Sequence, residues 1–106
     1  MRVPIACTLT VDEQPDRIAE WRTFFATHVA AVEDAASARA RLRLAEGDDA
    51  VLAAADLAQR EQACCAFFDF AIHLGADGRF LSVAVPDDAA PVLRDFLGLL
   101  PEHLRP

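Results

Sequence analysis

The chain opens with an alternation of apolar and polar positions. In residues 3–11 (VPIACTLTV), Val3, Ile5, Cys7, Leu9 and Val11 share one face, and Pro4, Ala6, Thr8 and Thr10 share the other. This period of two is the mark of a half-buried strand, with Cys7 on its apolar side. The period then changes. Asp12 or Gln14 can begin a helix and Pro15 suits its first turn. Ile18, Trp21, Phe25, Val29 and Val32 then recur at steps of three and four. That spacing predicts an amphipathic helix to about Val32. Alternation returns over residues 38–45 (ARARLRLA), with Ala40, Leu42 and Leu44 inward and Arg39, Arg41 and Arg43 outward. Gly47-Asp48-Asp49 closes that strand and caps a second helix, which runs through AVLAAADLAQREQACCAFF without a breaker.

Beyond it, Phe70, Ile72 and Leu74 alternate with Ala71 and His73, and Gly75-Ala76-Asp77-Gly78 predicts a hairpin turn. The return strand, Phe80 to Val85, directs Leu81, Val83 and Val85 inward. Pro86-Asp87-Asp88 caps a last helix through Pro91, Leu93, Phe96, Leu97 and Leu100. The predicted order is β-α-β-α-β-β-α. One-sided strands and amphipathic helices imply an α+β two-layer sandwich, with one sheet of about four strands and helices packed on one face. With 106 residues and no linker or repeat, residues 1–106 form a single domain.

Composition narrows the function. The net charge of −7 lacks the basic footprint of a nucleic-acid binder. No stretch approaches the roughly 18 apolar residues of a membrane span. MRVPIACTLT lacks the long apolar run of a signal peptide, so a cytoplasmic location with reduced thiols is expected. All ten positive residues are arginine, which reads as the codon bias of a GC-rich bacterial genome. Arg39, Arg41 and Arg43 read as a solvated strand face. The alternatives for that face are an anion site or the surface of a homodimer. Trp21 and the phenylalanines read as core, apart from Phe67, which projects to the solvent side, where it covers the thiols or meets a partner chain.

The chemistry concentrates in residues 61–70, EQACCAFFDF. On a helical wheel of residues 50–68, Asp56, Gln59, Arg60 and Ala63 face solvent. Val51, Ala54, Ala58 and Cys65 lie opposite, Glu61 lies with them, and Cys64 sits at the flank. A carboxylate on an inward apolar face must be paired, protonated or bound to something. Cys7 approaches the pair if the second helix covers the first strand. A bond between Cys64 and Cys65 is disfavoured, because adjacent Cα atoms lie about 3.8 Å apart and disulfides need about 4.4–6.8 Å. Structural zinc wants four ligands in spaced pairs, which are missing here. Thiolates select soft ions, and Hg(II), As(III) and Cu(I) accept two or three sulfurs, with Glu61 able to take a thiol proton. Catalytic thiol chemistry ranks lower: the cysteines lie late in their helix beside a carboxylate, both unfavourable to a thiolate. The candidate bases, His28 and His73, fall on solvated or boundary faces.

IACTLT near the start, Trp21, EQACCAFFDF and LSVAVP together resemble a family of small bacterial proteins. Its pattern is an early I-A-C-T-L strand and a later E-x-x-C-C-x-F-x-x-F stretch, and it is associated with mercury-resistance gene neighbourhoods. The resemblance spans most of the chain. It implies a soft-metal role for Cys7, Cys64 and Cys65, with Glu61 beside them. The expectation is a protein that binds a thiophilic metal or metalloid, Hg(II) first and As(III) or Cu(I) next, with no organic cofactor. Two alternatives stand beside it. One is an enzyme in which Cys64, Cys65 and Glu61 cleave a carbon–metal bond, with the logic of organomercurial lyase. The other is a structural or interaction domain whose cysteines are core.

Overall fold

The computed structural model describes residues 14–106. The predicted first strand, with Cys7, lies outside the described residues. Within them the order is α1 (Gln14–His28), β1 (Val29–Ala35), β2 (Arg39–Leu44), α2 (Asp48–Cys64), β3 (Asp69–Gly75), β4 (Gly78–Ala84) and α3 (Ala90–Leu97). Single 3₁₀ turns occupy Asp87–Ala89 and Glu102–Leu104. The four strands form one antiparallel sheet in the order β1-β2-β4-β3. The architecture is the expected α+β fold with a four-stranded sheet. No described helix is long and apolar enough to cross a membrane.

The strand β1 is not among the predicted elements, so the described order is α-β-β-α-β-β-α, and all three predicted helices run past the observed ends. The first helix ends at His28 and not near Val32, and the chain passes directly into β1. The cause is visible in the register. Val29 stands opposite Leu44 and Val32 opposite Leu42, so three steps on β1 match two on β2. The register slips once between Val29 and Ala31 and again between Val32 and Asp34. Each slip adds a residue to one strand, as a β-bulge does. A bulged strand thus places Val29 and Val32 on the same face at a spacing that mimics a helix. The inward row of α1 is correspondingly different. It is Trp21, Phe24 and Phe25, all buried, while Ile18 is 43% exposed.

On β2 and β4 the strand faces fall as the alternation predicts, whereas on β3 Leu74, aligned with Phe70 and Ile72, is 63% exposed. Ala40, Leu42, Leu44, Leu81, Val83 and Val85 are buried in the core with α1, α2 and α3. Aromatic rings fill its centre. Trp21 meets Phe96 edge-on at 4.8 Å between centroids and lies parallel to Phe70 at 5.9 Å. Phe68 lies 5.3 Å from Phe70 and 5.4 Å from Phe96. Phe67 is half-buried and stacks on Phe68 at 4.9 Å rather than standing free in solvent. The hairpin between β3 and β4 turns through Ala76 and Asp77, and Gly78 adopts φ 138°, which only glycine tolerates readily.

The other sheet face carries a small cluster of its own. Phe80 points away from α1–α3, yet it is 1% exposed. Its ring is covered by two guanidiniums, Arg41 at 3.8 Å and Arg43 at 4.7 Å, with His73 beside it. Arg43 is itself anchored by Glu33 at 2.9 Å and by the Asp77 carbonyl at 3.1 Å. The Nε of Arg41 is buried without a hydrogen-bond partner among the described residues, and the guanidinium lies on the Phe80 ring instead. The arginine face is therefore only partly solvated: Arg39 is exposed, whereas Arg41 and Arg43 roof an aromatic ring. Arg41→Ala should lower unfolding stability by about 1 kcal/mol through loss of the cation–π contact. Arg39→Ala should stay within about 0.5 kcal/mol of wild type, as surface changes do. Urea denaturation of the two variants measures the difference.

Candidate functional site

α2 buries Ala50, Ala54, Leu57, Ala58 and Glu61 along one side. The apolar members hold the helix on the core, and the same periodicity carries Glu61 inward with them. Glu61 is 6% exposed and is the one buried charged residue among those described. The requirement that such a carboxylate be paired is met from α1. The Trp21 indole Nε1–H donates to Glu61 Oε1 at 2.7 Å, and Arg17 Nη1 donates to the same oxygen at 3.4 Å. Arg17 and Trp21 are four residues apart, hence neighbours on one helix face. A single turn of α1 supplies both the charge and the directed hydrogen bond.

Arg17 also reaches further. Its Nη2 lies 4.0 Å from Cys64 Sγ, and its Nε lies 3.6 Å from Glu20. Burial works against the charged form of Arg17. Its interactions with Glu61 and the Cys64 sulfur outweigh that penalty, so the guanidinium titrates above its ordinary value. Glu20 in turn is held below the usual carboxylate range, chiefly by its hydrogen bonds from Arg60 at 2.7 and 3.2 Å. Arg60 continues to Asp56 at 3.0 Å. The α1–α2 seam is thus a chain of alternating charges that begins at Glu61, deep in the seam, and ends at Asp56 on the surface.

Cys64 is the last residue of α2 and Cys65 is its C-cap. At Cys65 the backbone leaves the helix, with φ −123° and ψ 84°. The Cys65 amide donates to the Glu61 carbonyl at 2.7 Å, and its carbonyl accepts from the Phe68 amide at 3.1 Å. The helix therefore stops between the two thiols, and the predicted continuation through Phe67 and Phe68 becomes a turn leading into β3. Cys64 is half-buried beside Arg17, whereas Cys65 is 6% exposed and belongs to the core cluster.

Of the predicted site residues, the structure brings Glu61 and Cys64 together around Arg17. It places Cys65 next to them in sequence but in the core. Cys7 lies outside the described residues. Among the described residues no group of three or more His, Cys, Asp or Glu side chains is placed to hold a metal ion. His73 is exposed and 3.9 Å from Asp77, and His28 packs against Phe24, so neither serves the thiols as a base. Arg17 is not among the residues the sequence predicts for the site, and the spacing of Trp21 predicts only a core position. The available signal was the inward carboxylate itself: it demanded a cation, and Arg17 lies one turn before the tryptophan that faces the core.

No protein-family model, curated protein or solved structure matches the chain.

The pairing makes a clear energetic prediction. Losing one partner of a buried ion pair costs more than losing both, because the survivor is left desolvated. Arg17 is partly screened by solvent, so Arg17→Met should cost about 1–3 kcal/mol. Glu61→Leu should cost a similar amount by orphaning the indole N–H and the guanidinium. The double variant should lose clearly less than the sum. Chemical denaturation of the four proteins yields the coupling energy, and strict additivity would mean that the pair is not coupled.

Proposed function

We propose that the protein binds a thiophilic metal or metalloid ion, Hg(II) foremost, through Cys64 and Cys65, with Cys7 as a third ligand. The observation that carries this reading is the position of the two thiols. They are consecutive, they stand where α2 ends, and one of them is half-open to solvent beside a guanidinium. Soft ions take few sulfur ligands, so two thiols are enough where structural zinc would need four. Binding proceeds as Hg²⁺ plus two thiols giving a bis-thiolate and two protons, which solvent can accept.

The pairing of Glu61 reassigns its part in this scheme. Its Oε1 is committed to Trp21 and Arg17, so it acts best as the residue that orients Arg17 against Cys64. Arg17 then serves as a fixed counter-charge to a metal–thiolate at Cys64. A second reading draws on the burial of Cys65, by which the cysteines are packing atoms of the core.

Titration of reduced protein separates the two. Wild type should bind Hg(II) and As(III) far more tightly than a Cys64→Ser/Cys65→Ser variant, and Zn(II) more weakly than Hg(II). About two protons should be released per Hg(II) in weakly buffered solution. Cys7→Ser should weaken As(III), which accepts three sulfurs, more than Hg(II). Equal Hg(II) affinity in wild type and the double variant ends the metal reading. The variant would then differ only in stability, within the few kcal/mol of core truncations.

A further inference from the structure

A cavity of about 460 Å³ lies between the β1–β2 turn, α3 and the last two residues, away from the thiols. Its volume falls in the range of roughly 300–1,000 Å³ that small-molecule sites occupy. Leu93 and Leu97, both buried, are among its apolar lining residues, and Ala36 and Ser37 add a wall of small side chains that leaves the space open. Two guanidinium-bearing residues complete the lining, Arg94 and Arg105. Arg105 Nε donates to the Leu100 carbonyl at 3.0 Å, which anchors that side chain and leaves its terminal nitrogens for another acceptor. The Arg94 guanidinium is exposed and has no hydrogen bond or ion pair among the described residues.

The charge pattern singles this cavity out. The chain carries 17 acidic residues against 10 basic ones, yet no described Asp or Glu lines the cavity. Two arginines beside an apolar floor, with no Asp or Glu side chain in the lining to pair with them, suit a ligand with one apolar part and one anionic part. We propose that this cavity binds a small amphiphilic carboxylate. Its hydrocarbon or aromatic body rests against Leu93 and Leu97, and its carboxylate is taken by Arg94 and Arg105. The guanidinium fork matches a carboxylate in shape, and hydrogen bonds between ionised groups are about twice as strong as neutral ones. Burial of the apolar body supplies the rest. The proposal uses none of the thiol-site residues and is independent of metal binding.

The test uses octanoate as the ligand, with octanamide and acetate as controls, followed by amide chemical shifts of the isotope-labelled protein. Octanoate should give saturable shifts confined to residues 35–37, 90–98 and 105. Octanamide, which lacks the charge, and acetate, which lacks the apolar body, should bind at least about tenfold more weakly, as loss of one such contribution implies. Arg94→Glu and Arg105→Glu should each weaken octanoate by about tenfold or more, with the remaining spectrum unchanged. Ser37→Trp, which fills the cavity, should remove binding. The proposal is overturned if octanoate does not saturate, if octanamide binds equally well, or if both arginine variants bind as wild type. Should Ser37→Trp fail to fold, the two exposed arginine positions decide the matter alone.

Discussion

One buried oxygen organises the region around the thiols. Glu61 Oε1 receives the Trp21 indole N–H and the Arg17 guanidinium, and both donors come from a single turn of α1. A desolvated carboxylate left alone would be costly, so α1 and α2 can pack here only in the alignment that satisfies it. Apolar contacts are tolerant of small slides between helices, whereas a 2.7 Å hydrogen bond is not. The pair thus contributes positional specificity more than net stability. It also draws Arg17 inward to Cys64, so the polar surroundings of that thiol follow from the satisfaction of the carboxylate.

The same residue shows how far the sequence could be read. The wheel placed Glu61 inward because Ala54, Ala58 and Cys65 repeat with it, and burial bears this out. The arginine strand, the hairpin at Ala76-Asp77 and the return strand were legible for the same reason, since a period of two has few competing explanations. The segment from Val29 to Val32 was not legible. Two bulges give a strand the three-residue spacing of a helix, and only the partner strand reveals them. Phe80 was also opaque. Its position on the alternation marks it as outward, and nothing local says that Arg41 and Arg43 will close over it. Partners that lie far apart in sequence, as Arg17 and Glu61 do, leave one half of a pair visible as an unmet need.

The two cysteines, alike in sequence, are unlike in setting. Cys64 has a guanidinium beside it and partial access to solvent. Cys65 is inside, at the point where the helix gives way to a turn held by the Glu61 carbonyl and the Phe68 amide. A ligand that recruits both thiols must therefore engage the end of α2, where the backbone is held by turn hydrogen bonds and no longer by a continuing helix.

The passage from α1 to β1 has a mechanical consequence. His28 ends the helix and Val29 begins the strand, with no loop between them, and the His28 carbonyl accepts the Ala45 amide at 2.7 Å. Domain elements usually swing about a few residues of irregular chain at their ends. Here that joint is missing. The helix that carries Arg17 and Trp21 runs straight into the sheet, and the hydrogen bond at His28 ties its end to the residue that follows β2. The surroundings of the Cys64 thiol are thus preset by the body of the molecule, an anvil and not a closing gate.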